Sequence, residues 1–455
     1  MRVVRAQIAK ILRDSGVEPY TDASGYVFDE TPETVRIEPC RDVIVVKPRN
    51  TEEVARVMRI AYEHNIPVFV RGGGTGLSCG AVPTKTGIVL STERMKRIEV
   101  DAENLCAVCS AGVTLGELIN AAESKGLSFP PHPGSESATV AGMVATNAGG
   151  VRAMKYGVMR NYVIGLKAVL ADGEVLSLGG KMIKNNAGYN LMHLLIGSEG
   201  TLAIITEVVL KLLPPFRETL TLAVPFRCVE DAIRIVPKIM IESMPLALEY
   251  IEGEAITYGE KASGKRWPPR DKANLMVILD GDSKDDLMRK AERVAEICER
   301  SNAVDVFVAT GREEKDLLAV RSLIYEGIKN DLIEILDVSV PVAKIPEYIR
   351  KCNDVAEKMG FKVINYGHAG DGNIHQHPMK RVGWEKDYEG LRMRFFEIAS
   401  DLGGTITGEH GIGALKKDHL KHFISEREYR IMQEMKRIFD PKGILNPGKV
   451  VDHVR

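Results

Sequence analysis

The sequence predicts an α+β protein of two main domains, and three observations carry that expectation. Early strands alternate with helices and run directly into glycine-rich loops. A double proline, Pro214-Pro215, then closes a long apolar strand and ends that texture. Beyond it, strands such as residues 273–279 alternate with helical stretches at 284–299 and 344–359 while glycine loops thin out. Runs of this kind favour an α+β layer with a mostly antiparallel sheet. At 455 residues the chain is long enough for each domain to bury a full core. The division read from the sequence is a helical segment at 1–37, a first domain at 38–215 and a second at 216–455.

The opening segment reads as a short amphipathic helix with Val4, Ile8, Ile11 and Leu12 on one side. Val43-Ile-Val-Val46 follows as a buried-type strand. Asn50 begins a helix with Glu53 at the capping-box position and Val54, Val57, Met58 and Ala61 on its apolar face. The next strand, residues 67–70, runs straight into Arg71-Gly-Gly-Gly-Thr-Gly-Leu-Ser78. That context suits phosphate binding, yet Gly80, Pro83 and Gly87 argue against the helix a dinucleotide fingerprint requires. The Lys-Ser/Thr ending of a P-loop is also missing. What remains is a run of bare amides able to cradle a pyrophosphate.

Thr114 opens a further helix with Glu117 completing a capping box. Pro130-Pro-His-Pro-Gly-Ser-Glu-Ser137 and the small-residue stretch 138–150 give a surface on which a flat ligand can lie close to backbone. Residues 163–177 read as a hairpin turning at Ala171-Asp-Gly173. Leu195-Ile-Gly-Ser-Glu-Gly-Thr201 is a third glycine loop. Arg321 falls in a helix-like run at 313–329 and, taken alone, is an ordinary helix arginine.

The densest chemistry is Tyr366-Gly-His-Ala-Gly-Asp-Gly-Asn-Ile-His-Gln-His377, with three histidines around a glycine turn. A turn at residues 370–373 would set His368 opposite His375, with Cβ atoms roughly 4.5–5.5 Å apart. His377 would share their face. Glu409-His410, in another glycine frame, adds a carboxylate and an imidazole. Two imidazoles and one carboxylate make a three-ligand set with open positions, suited to Zn²⁺, Mn²⁺ or Fe²⁺. Spacing alone does not bring Glu409 to the hairpin. His64, His419, His422 and His453 read as surface residues, and His193, among Leu191, Met192, Leu194 and Leu195, as a packed or boundary histidine.

Composition narrows the class. With 61 Lys+Arg against 62 Asp+Glu there is no electrostatic footprint for nucleic acid. No apolar run reaches the roughly 18 residues of a membrane span, and residues 1–10 lack a signal peptide's apolar core. Seven sparse cysteines fit a reducing compartment, so a cytoplasmic location is expected, peripheral to a membrane only through a partner. Cys106 and Cys109 lie three apart on a strand, which points the thiols to opposite faces.

These motifs together resemble the glycolate oxidase/D-lactate dehydrogenase family of FAD-linked oxidases over nearly the whole chain. The carrying motifs are Arg71-Gly-Gly-Gly-Thr-Gly-Leu-Ser78, Pro133-Gly-Ser135, Ala145-Thr-Asn-Ala-Gly-Gly150 and Gly197-Ser-Glu-Gly-Thr201. In the second half they are Gly367-His-Ala-Gly-Asp-Gly-Asn-Ile-His375, Gly408-Glu-His-Gly-Ile-Gly413 and Asn446-Pro-Gly-Lys449. The resemblance implies a two-part FAD-binding domain of the p-cresol methylhydroxylase type, followed by an α+β substrate domain. It assigns the backbone of Gly72, Gly73, Gly74, Thr75 and Gly76, and of Pro133, Gly134 and Ser135, to the FAD pyrophosphate. Thr139, Gly142, Asn147 and Gly149, with Glu199, Gly200 and Ile205, would line the flavin or its adenine, and Arg71 and Asn446 complete the cofactor set. His368, His375 and Glu409 become metal ligands, His410 the base and Arg321 the substrate-carboxylate clamp. His377 then falls to a neighbour of the ligands. Gly72-Gly-Gly74 holds no histidine, so noncovalent FAD is implied. Cys79 and Ala203 stand where relatives commonly have glycine.

The activity implied is oxidation of a small D-2-hydroxy acid, D-lactate first, to the 2-oxo acid. Alternatives are a glycolate or D-2-hydroxyglutarate dehydrogenase and a noncatalytic electron-relay subunit. Glu334-Ile-Leu-Asp337 offers no cation for a second substrate carboxylate, which favours a short substrate. The chain shows no iron–sulfur motif, so reduced flavin needs an electron-transfer flavoprotein, an iron–sulfur subunit or a quinone. A homo-oligomer is compatible with the sequence.

Overall fold

A computed structural model describes residues 2–215 and 218–454. The chain forms two compact units, one from Met1–Gly149, Val158–Pro215 and His410–Arg455, the other from Gly150–Gly157 and Phe216–Glu409.

The first unit holds two sheets. Strands β1 (Val43–Val46), β2 (Val68–Arg71) and β3 (Gly87–Ser91) form a parallel sheet in the order β1-β3-β2. Helix Thr51–Glu63 crosses from β1 to β2. The Asn50 side chain accepts the Glu53 amide at its start, and Val54, Val57, Met58 and Ala61 are buried as their spacing requires. Because β2 ends at Arg71, the glycine loop leaves from the C-terminal end of a parallel strand, where α/β folds place ligands. The second sheet is antiparallel: β4 (Ile98–Asp101), β5 (Cys106–Ser110), β6 (Val163–Val169), β7 (Val175–Gly179) and β8 (Ile204–Lys211), in the order β4-β5-β8-β6-β7. Helix Leu115–Glu123 begins with both bonds of the Thr114–Glu117 capping box.

A division at Pro215 places residues 410–455 in the second domain, but they pack in the first unit. The reason is main-chain pairing and buried cations. Leu445 bridges Val68 in parallel, so residues 444–446 extend the edge of β2. Lys436 donates to the Thr201 and Leu445 carbonyls and pairs with Asp440, while Lys449 donates to the Val82 carbonyl.

The second unit is built on one antiparallel sheet. It comprises β9 (Glu218–Phe226), β10 (Ala247–Glu252), β11 (Ala273–Gly281), β12 (Phe307–Ala309), β13 (Leu336–Ser339), β14 (Val363–His368) and β15 (Asn373–Pro378). Their order is β12-β9-β11-β10-β14-β15-β13. Helices pack over it, and Ile251, Met276, Ile364 and Tyr366 belong to a core shared with helices Gly253–Ser263 and Gly311–Ser322.

Three local readings change. The helix expected over 313–329 breaks at Leu323 (φ −97°, ψ 9°) into Gly311–Ser322 and Ile324–Ile328. The second piece presses Gly327 against helix Gly253–Ser263, where an added Cβ would stand 2.5 Å from the Tyr258 carbonyl oxygen. His193 is exposed rather than packed, because its five-residue helix buries only Leu195. His64 and His422 are exposed, but His419 and His453 are half-buried, the His453 ring lying 3.1 Å from the Asp440 carbonyl oxygen.

Candidate active site

The hairpin forms, but its turn lies one position earlier than expected, at residues 369–372, which slides the cross-strand pairing by two. His368 pairs with Asn373, Gly367 with Ile374 and Tyr366 with His375, so His368 and His375 are diagonal rather than directly opposed. Asn373 is withdrawn from the turn because its side-chain amide donates to Asp337 Oδ1 and the Val338 carbonyl of the neighbouring strand. The offset is even, so every side chain keeps its face. The two rings meet edge to face with centroids 5.3 Å apart.

Glu409 completes the cluster. Its Oε1 lies 3.5 Å from His368 Nε2 and 3.4 Å from His375 Nε2. These three ligand atoms lie within 4.8 Å of one another, as a shared divalent cation requires. Burial would raise the Glu409 carboxyl, yet the two imidazoles hold it well below the usual carboxylate range. His377 does not join them. It is fully buried, stacked on Tyr366 with centroids 4.5 Å apart, and its Nδ1 faces the Ile364 carbonyl at 3.1 Å.

Two buried carboxylates that no motif marked stand behind the imidazoles. Sheet register sets Glu249 of β10 directly opposite His368, and Asp337 of β13 directly opposite His375. Glu249 Oε1 lies 2.6 Å from His368 Nδ1, and Arg321 donates to Glu249 Oε2 from Nε at 2.9 Å and Nη2 at 2.5 Å. Burial disfavours the charged Glu249, but His368 and Arg321 outweigh it and lower its pKa. His368 is raised well above the ordinary imidazole value, against burial, by Glu249 and Glu409. The Arg321 guanidinium also lies over the Tyr366 ring, 4.8 Å from its centroid. Asp337 Oδ2 accepts the Thr407 hydroxyl and the Gly408 and Glu409 amides at 2.9–3.0 Å, which fixes the loop carrying Glu409. Gly408 must be glycine there, since a Cβ would fall 2.2 Å from Asn373 Nδ2.

The first unit carries a ligand cradle. Arg71, Gly72, Gly73, Gly112, Ser137 and Thr139 line an open cavity. The loop lies against residues 137–139 so closely that a Cβ on Gly72 would meet Thr139 Oγ1 at 2.3 Å. Thr139 Oγ1 is itself buried without a hydrogen-bond partner, a polar atom suited to a ligand in the cavity. Arg71 donates to the Phe28 carbonyl at 2.5 Å. Gly142 Cα lies 3.7 Å from the same Gly72 Cβ position, and Gly149 is buried. Pro133 and Ser135 are half-buried and Gly134 exposed, and none of the three lines this cavity.

Several expected cofactor residues do structural work. Asn147 ends helix Val140–Thr146 in the left-handed region, and its Oδ1 accepts the Arg160 amide. Ile205 is buried in β8. Glu199 receives the Ile412 and Gly413 amides at 2.8 and 2.7 Å, and burial raises its pKa. Asn446 Nδ2 donates to the carbonyls of Glu199 and Gly80, and Gly200 packs on Val70 and Asn446. His410 is half-buried, and its carbonyl accepts the Ser78 hydroxyl at 3.1 Å. Ser78 and Glu199 thus hold the backbone that presents His410.

Comparison with known proteins gives a consistent result. Residues 43–179 match the family described as "FAD binding domain", and residues 216–450 match "FAD linked oxidases, C-terminal domain". The chain is 52% identical to a D-lactate dehydrogenase of Archaeoglobus fulgidus, covering 96% of this chain and 97% of that one. It is 37% identical to glycolate oxidase subunit GlcD of Bacillus subtilis over 97% and 96% of the two chains. It is 31% identical to a D-2-hydroxyglutarate dehydrogenase of Stutzerimonas stutzeri over 89% and 90%. Among solved structures, p-cresol methylhydroxylase superposes with a TM-score of 0.79 at 17% identity, covering 98% of this chain and 96% of that one. That likeness speaks to the fold.

Proposed function

Since this chain belongs to the FAD-linked oxidases of the D-lactate dehydrogenase and glycolate oxidase type, we propose that it oxidises D-lactate to the 2-oxo acid with the help of a divalent metal. The observation that carries the reading is the convergence of His368 Nε2, His375 Nε2 and Glu409 Oε1 in a unit matched to the oxidase C-terminal domain. Noncovalent FAD would be held by Arg71–Gly76 backbone and Thr139, and Zn²⁺, Mn²⁺ or Fe²⁺ by His368, His375 and Glu409. When bound, the flavin supplies the hydride acceptor and the cation a Lewis acid for the substrate's hydroxyl and carboxylate oxygens.

The chain's own residues supply the rest. The His410 imidazole takes the hydroxyl proton as general base, a role its near-neutral ordinary pKa suits. Arg321 binds the substrate carboxylate through Nη1, since Nε and Nη2 are held by Glu249. Glycolate is the second substrate choice. A second carboxylate finds less support: Glu334 faces Tyr388 and Arg392, so the cation nearest it is already paired. A noncatalytic relay subunit would not need a complete ligand set, and this chain keeps one. Electrons would pass to an electron-transfer flavoprotein, an iron–sulfur subunit or a quinone. No helix among the described residues is long and apolar enough to cross a membrane.

The test is anaerobic flavin bleaching by D- and L-2-hydroxy acids before and after chelation. D-lactate should bleach the flavin, and chelator should stop it. Bleaching that ignores chelator removes the metal from the mechanism. His410→Ala should retain FAD and lose roughly 10²–10⁴-fold in the rate of reduction.

A further inference from the structure

We infer that Glu249 is a positioning residue of the metal centre, fixing which ring nitrogen of His368 carries hydrogen and which faces the ion. The inference rests on the metal reading above and deepens it. The contact is built by the sheet, because Glu249 and His368 are directly opposed on neighbouring strands although 119 residues separate them. Glu249 has no solvent exposure, and its Oε1 lies 2.6 Å from His368 Nδ1. An ionised carboxylate only accepts hydrogen bonds, so Nδ1 must donate. In the neutral ring that a cation would bind, the lone pair is thereby left on Nε2, the atom facing Glu409. Carboxylates behind ligating histidines orient the ring and raise its basicity as a ligand.

Arg321 makes this arrangement rigid. It takes the other Glu249 oxygen with two donors, so the carboxylate cannot turn away from the ring. It also supplies the positive charge that a carboxylate without solvent needs in order to stay ionised. The Arg321–Glu249–His368 chain links the proposed substrate clamp to the metal site through a single buried side chain.

Glu249→Gln is the discriminating variant. An amide NH₂ cannot face the Arg321 guanidinium, so the amide oxygen turns to Arg321 and the NH₂ to His368 Nδ1. The imidazole hydrogen then moves to Nε2, and the lone pair points away from the ion. Mn²⁺ affinity of the full-length, FAD-loaded protein, measured by titration calorimetry, should fall roughly 10–100-fold with FAD content unchanged. Glu249→Asp restores an acceptor-only group and should lie closer to wild type. Unchanged Mn²⁺ affinity in Glu249→Gln overturns the inference. So does an equal loss in Glu249→Asp, which would indicate packing rather than ring orientation. His368→Ala separates the two levels: if it binds Mn²⁺ like wild type, the metal reading fails. If it loses Mn²⁺ while Glu249→Gln keeps it, only the role of Glu249 fails.

Discussion

The two imidazoles of the proposed metal site stand on adjacent strands of one hairpin, and each is opposed across the sheet by a carboxylate without solvent exposure. The two backings nevertheless do different work. Glu249 gives one oxygen to a ring and the other to a guanidinium. Asp337 stands farther from its ring, 3.6 Å from His375 Nδ1, and spends Oδ2 on Thr407, Gly408 and Glu409. One carboxylate holds an imidazole of the proposed ligand set, while the other anchors the loop that carries Glu409. Equivalent places in a sheet therefore do not imply equivalent roles. What the remaining lone pairs touch decides it.

Glu409→Gln strikes both sides at once, because both Nε2 atoms face the same oxygen. Mn²⁺ binding should fall by more than the roughly 100-fold that marks loss of a supporting residue, with FAD retained. Metal analysis after gel filtration reads this directly. Asp337→Asn comes next. A carboxamide cannot accept from the Thr407, Gly408 and Glu409 donors and also from Asn373, so at least one buried donor loses its partner. That costs about 1–3 kcal/mol and should lower Tm by several degrees along with metal affinity. Thermal unfolding of the metal-free protein separates the two carboxylates: Asp337→Asn should destabilise it more than Glu249→Asp. Equal losses would dissolve the contrast.

This contrast also marks how far the sequence could be read. The hairpin, its glycine turn and the face shared by His368 and His375 follow from local spacing, and an even register offset left that face intact. Glu409 was legible as a candidate, but only the clamp of Asp337 on Thr407–Glu409 brings it in. Glu249 was not legible at all, since no motif surrounds it in strand Ala247–Glu252 and its partner lies 119 residues away. Register between distant strands is decided by packing of the whole sheet, which no window of sequence contains. Glu199 shows a structural part that its motif did not announce. Its motif pointed to the flavin, and its two oxygens also cap the Ile412 and Gly413 amides.

Strand β10 offers a milder test of what partners do to a carboxylate, because Glu252 lies three residues from Glu249. Burial lifts the Glu252 pKa from 4.5 to about 7, against the pull of the Asn365 amides, which carry no charge. The folded protein thus holds a proton that the unfolded chain has released. This stabilisation is complete below about pH 4.5 and is lost as pH rises through about 7. Tm of the metal-free protein should fall over that window, and Glu252→Gln should flatten the fall. An unchanged slope would place the proton elsewhere.

The smallest effect is expected at His377, the third imidazole of the hairpin. Phenylalanine there keeps the stack on Tyr366 and gives up the contact between Nδ1 and the Ile364 carbonyl. The loss should be about 1–2 kcal/mol of stability, seen in urea unfolding, because one buried carbonyl loses a donor. Mn²⁺ affinity and D-lactate kcat/KM should not change, since His377 stands outside the group of ligand atoms formed by His368, His375 and Glu409. A tenfold weakening of Mn²⁺ binding in His377→Phe would mean that the stack transmits to His375 through Tyr366, whose ring lies 6.1 Å from it. The ring behind the hairpin would then support the metal site as Glu249 does, and the difference between carboxylate and aromatic backing would close.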